Sequence, residues 1–106
     1  MSSRYLPAFM MLILAASFHS ARADKVPVTI KELAFSPVQV QAKVGDTIEW
    51  INRDFVAHTA TARSGEWDVA VAAHKSASQA LSKAGLVDYY CRFHPSMHGT
   101  ITVTPR

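Results

Sequence analysis

A small all-β sandwich is the fold class that this sequence predicts, and three observations predict it. Apolar and polar residues alternate with period two in five short segments of the chain. Those segments are rich in β-branched and aromatic residues, the mark of half-buried strands. Turn-forming pairs separate them at short intervals, at Ser36-Pro37, Gly45-Asp46, Ser64-Gly65 and Ala84-Gly85. Strands at this spacing indicate a sandwich or barrel.

The chain begins differently. Arg4 provides a positive start, Leu6 to Phe18 is an almost unbroken apolar run, and Ala21-Arg22-Ala23 is a small-x-small cleavage site. That order is the anatomy of a secretory signal peptide. A membrane anchor is the competing reading, but a spanning helix needs about 20 apolar residues. Tyr5 to Phe18 supplies 14, with Pro7 inside. Residues 1–23 are therefore expected to be cleaved, residues 24–106 to be one exported, periplasmic domain, and no stable membrane insertion to remain.

The elements follow in order. Val26, Val28 and Ile30 alternate with Pro27, Thr29 and Lys31. Val38 and Val40 alternate with Gln39 and Gln41, and Ile48 and Trp50 with Thr47 and Glu49. The stretch from Trp67 reads as a loop followed by a strand over roughly Ser78 to Ser82. Val87, Tyr89 and Cys91 share one face, and Ile101 and Val103 alternate with Thr100, Thr102 and Thr104. Trp50 and Tyr89 are expected in the core, Tyr90 partly exposed, and His74 and His98 on the surface.

Composition narrows the function. Arg4 and Arg22 account for two of the 11 basic residues, which leaves nine against eight acidic ones in the expected mature chain. There is no Lys/Arg run and no basic-aromatic interleaving, so no nucleic-acid partner is expected. A monomer is expected. The one cysteine, Cys91, cannot form an internal disulfide. A lone thiol in an oxidising compartment needs something to hold it, and a metal would do so.

The chemistry concentrates in Tyr89-Tyr90-Cys91-Arg92-Phe93-His94-Pro95-Ser96-Met97-His98-Gly99. A thiolate, an imidazole and a thioether stand three residues apart at Cys91, His94 and Met97, a spacing that lets one loop wrap an ion. A second imidazole, His58, lies 33 residues upstream of Cys91, at the end of another expected strand. Two histidines, a cysteine and a weak methionine are the blue-copper ligand set. Such a mixture of soft and intermediate donors accommodates both Cu(I) and Cu(II).

These residues resemble the cupredoxin family, and within it the amicyanin group most closely. Phe35 to Val40, Val44 to Asn52, Ala57-His58-Thr59 and Ala84 to Cys91 all match, as does the short Cys-x-x-His-x-x-Met loop with Pro95 after the histidine. The resemblance implies a Greek-key sandwich holding one copper ion, with His58, Cys91 and His94 as equatorial ligands and Met97 as axial ligand. It implies one-electron transfer between redox proteins; in the amicyanin group the donor is a dehydrogenase and the acceptor a c-type cytochrome. The chain also departs from the family. Thr59 stands where Asn is usual, with a hydroxyl that can make a similar bond. Arg92 and Phe93 replace small or imino residues, and the domain is short before Asp24.

Other classes fit less of the sequence. A copper carrier or storage protein would use the same ligands and is the alternative. A Cys-His hydrolase needs an oriented base, an oxyanion site and a cleft; a sandwich this small offers little room, and the thioether would have no role. The chain is therefore not read as an enzyme. A structural zinc site would use more cysteines. His94 sits between the last two strands, and loops are surface features. Phe93, Pro95, Phe55 and Val56 are expected to form an apolar rim around it, with Arg53 and Arg92 adding positive charge.

Overall fold

The computed structural model describes Arg4 and residues 22–106. The rest of the leader assigned to residues 1–23 lies outside the described residues. Nine strands and no helix are present among them: β1 (Lys25–Lys31), β2 (Ala34–Ser36), β3 (Gln39–Lys43), β4 (Thr47–Asn52), β5 (His58–Ala62), β6 (Asp68–Val71), β7 (Ser76–Ala80), β8 (Gly85–Tyr90) and β9 (His98–Thr104). They form two sheets, β2-β1-β4-β7 and β3-β9-β8-β5-β6. Most neighbours are antiparallel; β1 runs parallel to β4, and β3 parallel to β9. The architecture is the expected cupredoxin-like sandwich.

The alternation read from the sequence faces the interior except at Val38, which precedes β3 and is 52% exposed, so that β3 buries Val40 and Ala42 instead. Val28, Ile30, Ile48, Trp50 and Ile101 are completely buried. At the centre, the Tyr89 ring meets Phe35 at 4.8 Å and Trp50 at 5.0 Å, both edge-on. Edge-on aromatic contacts add roughly 0.5–1.5 kcal/mol beyond the area they bury. Tyr90 is half-buried, and His74 and His98 are exposed.

Three elements differ from expectation. Residues 34–36 form a short strand that buries Phe35. Asp68–Val71 is a strand where a loop was expected; it pairs with β5 and buries only Val71, so four residues carry too little alternation to be read. β7 runs from Ser76 to Ala80 rather than Ser78 to Ser82, because Leu81 leaves the ladder. Its backbone bonds instead to the Gly45-Asp46 turn, at 2.7 and 2.8 Å. That turn requires glycine, since Gly45 has φ +95°.

Asp46 ties the far end of the sandwich together. Its buried carboxylate accepts the Asp24 and Lys43 backbone N–H groups at 2.9 Å each and pairs with the Arg106 guanidinium. The Asp24 N–H is the largest cause of an Asp46 pKa held below the ordinary 3.8; burial opposes it, and the Lys43 N–H, Arg106 and the Lys43 charge add to it. A carboxylate with a depressed native pKa stabilises the fold above its unfolded pKa. That contribution disappears as pH falls through the native value. Asp46→Asn should therefore flatten the acid limb of the melting profile between about pH 4 and pH 2. Thermal melts across that range check it; limbs of equal slope would contradict the assignment.

Candidate metal centre

Residues 91–97 close a tight loop between β8 and β9. The Cys91 N–H donates to the Met97 carbonyl at 3.1 Å, and the Met97 N–H to the His94 carbonyl at 2.8 Å. The second bond closes a four-residue turn with Pro95 in second place, where its fixed φ suits the turn. A sequence step of three thereby folds into one tight loop. Cys91 is fully buried, Met97 nearly so, and His94 half-exposed.

The other imidazole arrives from a distant part of the chain. His58 opens β5 and is fully buried. Asn52, also buried, shapes the approach to it: its side-chain amide donates to the carbonyls of Val56, Val71 and Ala72, and its oxygen accepts the Asp54 N–H at 2.9 Å. Asp54 then receives His58 Nε2–H at 2.8 Å and the Glu32 and Leu33 N–H groups at 2.7 and 3.1 Å. Burial raises the Asp54 pKa, but the Leu33 and Glu32 N–H groups and His58 outweigh it, so the carboxylate lies below its ordinary value. A carboxylate there only accepts. It therefore fixes the proton on Nε2 and leaves the Nδ1 lone pair facing Cys91.

The donor atoms converge. Cys91 Sγ lies 3.7 Å from His58 Nδ1 and 3.9 Å from His94 Nδ1, and all three fall within 4.8 Å of one another. Ligands about 2.0–2.3 Å from a shared ion stand about 3.6–3.8 Å apart at trigonal to tetrahedral angles. The spacing thus fits an ion, and the donor chemistry, one thiolate and two imidazoles with a buried thioether in the same loop, fits copper. Burial alone would raise the Cys91 pKa. The Thr59 N–H at 3.3 Å, the two histidines and the Phe93 N–H win instead, and the thiol is pulled down to about 6. A thiolate is the form that binds metal.

Thr59 fulfils the role expected of its hydroxyl, accepting the Arg92 N–H at 2.8 Å. Asn52 and Asp54 escaped the sequence reading. A signal for Asn52 was present, since it continues the inward face of Ile48 and Trp50 and so stands as a polar residue at a core position. Asp54 carried none, because the backbone N–H groups that hold it, at positions 32 and 33, are brought to it only by folding.

A sandwich of this topology with a Cys-His-His cluster at one end defines a copper-protein class, and the chain belongs to the cupredoxin family: the Cupredoxin-like domain profile matches residues 4–103. Its relatives are amicyanins. Amicyanin from Paracoccus denitrificans is 30% identical over 84 residues, which is 74% of this chain and 64% of that protein. The match thus spans a little under two thirds of that relative's length. Amicyanin-alpha from Methylorubrum extorquens is 29% identical over 89 residues, covering 78% of this chain and 75% of that one. Among solved structures, an amicyanin mutant in its Cu(I) form superposes with a TM-score of 0.66 at 28% identity, over 74% of this chain and 81% of its own.

Proposed function

We propose that this chain is a blue-copper electron carrier that holds one copper ion through His58, Cys91, His94 and Met97. The observation that carries the reading is the convergence of a buried, low-pKa cysteine sulfur with two imidazole nitrogens. When bound, copper supplies a one-electron Cu(I)/Cu(II) couple. The chain's own residues do the rest. Asp54 and Asn52 hold His58 in orientation, and the buried sulfur of Cys91 is kept from water. His94, half-exposed, is the ligand closest to a docked partner.

Around that end Phe93 and Val56 are about half exposed and Phe55 is 88% exposed. Exposed apolar residues around one ligand suit brief docking with a redox protein. Among the described residues no helix is long and apolar enough to cross a membrane. The leader read in residues 1–23 and the amicyanin relatives support residues 24–106 acting as a periplasmic domain that shuttles between redox proteins and performs no catalysis itself.

Visible absorption and electron paramagnetic resonance of the copper-loaded protein test the reading: an intense thiolate-to-copper band is expected, and a colourless copper complex would overturn it. Ready copper loss to an acceptor without a reversible couple would instead favour copper delivery. The axial role of Met97 has its own test. Met97→Gln should retain an altered thiolate–copper spectrum and lower the potential, because a long axial bond tunes the ion more than it holds it; complete loss of copper would contradict this role. Phe93→Glu should leave the spectrum intact and slow exchange with the natural partner about fivefold or more, the factor that roughly 1 kcal/mol of weaker docking produces. Unchanged exchange would place docking on another face.

A further inference from the structure

A closed ring of hydrogen bonds lies behind the candidate metal centre. The Arg92 N–H donates to Thr59 Oγ1 at 2.8 Å, and Thr59 Oγ1 lies 2.9 Å from Thr61 Oγ1. The Thr61 hydroxyl donates to Asp68 Oδ1 at 2.7 Å, and Arg92 Nε returns to the same oxygen at 3.2 Å. The ring joins β5, β6 and the ligand loop. Thr59 and Thr61 are buried, whereas the Asp68 and Arg92 side chains are about half exposed.

The direction of every bond is determined. Asp68 is an acceptor only, held below its ordinary pKa first by the Thr61 hydroxyl and then by Arg92. Thr61 must therefore point its one hydrogen at Asp68 and accept from Thr59. Thr59 in turn points its hydrogen at Thr61 and keeps a lone pair for the Arg92 N–H. Arg92 follows Cys91 in the chain and Thr59 follows His58, and the Thr59 N–H donates to Cys91 Sγ at 3.3 Å. Without Asp68 the Thr61 hydroxyl is free to turn toward Thr59. The Thr59 hydrogen is then left in a fully buried place with no acceptor, a costly arrangement.

We infer that Thr61 and Asp68 are positioning residues that set the N–H···S bond on Cys91 through Thr59 and the Arg92 backbone. The inference deepens the copper-site reading and rests on it for its electrochemical consequence. An N–H at the sulfur draws charge from the thiolate and disfavours the more positive ion, so weakening that bond should lower the potential. An isolated exposed Arg92–Asp68 ion pair would contribute little; the inference assigns Asp68 its effect through the buried hydroxyls.

The test uses Thr61→Val, Asp68→Ala and the conservative Thr61→Ser, each measured with and without copper. In the metal-free protein, amide hydrogen exchange at Arg92 should speed up about tenfold in Thr61→Val and Asp68→Ala, the scale of one lost hydrogen bond. Thr61→Ser should restore it. In the copper-loaded protein the first two variants should lower the reduction potential and shift the thiolate–copper band, again with recovery in Thr61→Ser. Unchanged Arg92 exchange and an unchanged potential, whatever happens to the melting temperature, would overturn the inference. If Thr61→Val fails to fold, Asp68→Ala, altered at an exposed position, decides alone. A wild-type protein without a thiolate–copper band would remove the parent reading, while the metal-free exchange experiment would still judge the hydrogen-bond ring.

Discussion

Replacement of Cys91 by alanine should abolish the intense visible band of the copper-loaded protein and most of its copper affinity. Every feature of the candidate centre converges on this sulfur. It receives the Thr59 N–H, faces both imidazoles and is held as a thiolate near neutral pH. Alanine leaves two imidazoles and a thioether, a set without charge to balance Cu(II). The consequence extends to stability. A ligand at about 100 times its dissociation constant stabilises the native state by about 2.7 kcal/mol. For a domain of this size that is a melting shift of roughly 10–20 °C. Wild type should show such a gap between its copper-loaded and metal-free melts, and Cys91→Ala should show almost none. The metal-free variant itself should lose about 1–3 kcal/mol, because the buried Thr59 N–H is left without its acceptor. A variant that kept the band, or kept the gap, would remove Cys91 from the site.

The second large effect should come from a single methyl group at Gly99. A Cβ there would lie 2.6 Å from Tyr89 Cζ and closer still to the Tyr89 hydroxyl oxygen. Glycine at this point of β9 lets the Tyr89 ring lie directly against the neighbouring backbone. The ring cannot retreat, since Phe35, Trp50 and Trp67 surround it at 4.8, 5.0 and 5.9 Å. Overpacking of a core costs about 1–3 kcal/mol and at times more. Gly99→Ala should sit at the upper end, with a melting loss of roughly 10–20 °C. The Tyr89 hydroxyl adds a diagnostic. It is buried, has no hydrogen-bond partner among the described residues, and burial raises its pKa well above 10. Tyr89→Phe should therefore be neutral or slightly stabilising alone, because it removes an unpaired polar group. Combined with Gly99→Ala it should recover part of the loss, since the clash with the oxygen disappears while that with Cζ remains. A melting curve for Gly99→Ala within 2 °C of wild type would show that the ring has room to move.

What could be read from the residue order depended on how local the information was. Val38, read as inward, precedes β3 and is exposed, but the alternation in Val26 to Lys31, Thr47 to Trp50 and Thr100 to Thr104 was legible because a strand writes its buried face into its own few residues. β6 was not, because Val71 is the one position it buries and its pairing with β5 supplies the rest. β7 was misplaced by two residues because serine and alanine offer no contrast between its faces, and the backbone of Leu81 is claimed by a turn 35 residues earlier.

The ligand loop was legible for the same reason. Cys91, His94 and Met97 lie within seven residues, so their spacing alone states that they can surround one point. His58 was identified through resemblance to a family, since a separation of 33 positions carries no geometric message. The tertiary structure alone decided what surrounds the site. Asp54, four residues before His58, is held against it by the N–H groups of the β1–β2 turn, Glu32 and Leu33, which only folding brings beside it. Thr61 and Asp68 stand behind Cys91 only because β5 pairs with both β6 and β8. Residue types and their short-range period determine which side chains can bind a metal and which face of a strand is buried. The Asp54–His58 bond is local, but the bonds that hold Asp54, Cys91 and Arg92 in place join segments more than 20 residues apart, and they exist only once hydrophobic burial has closed the two sheets on each other.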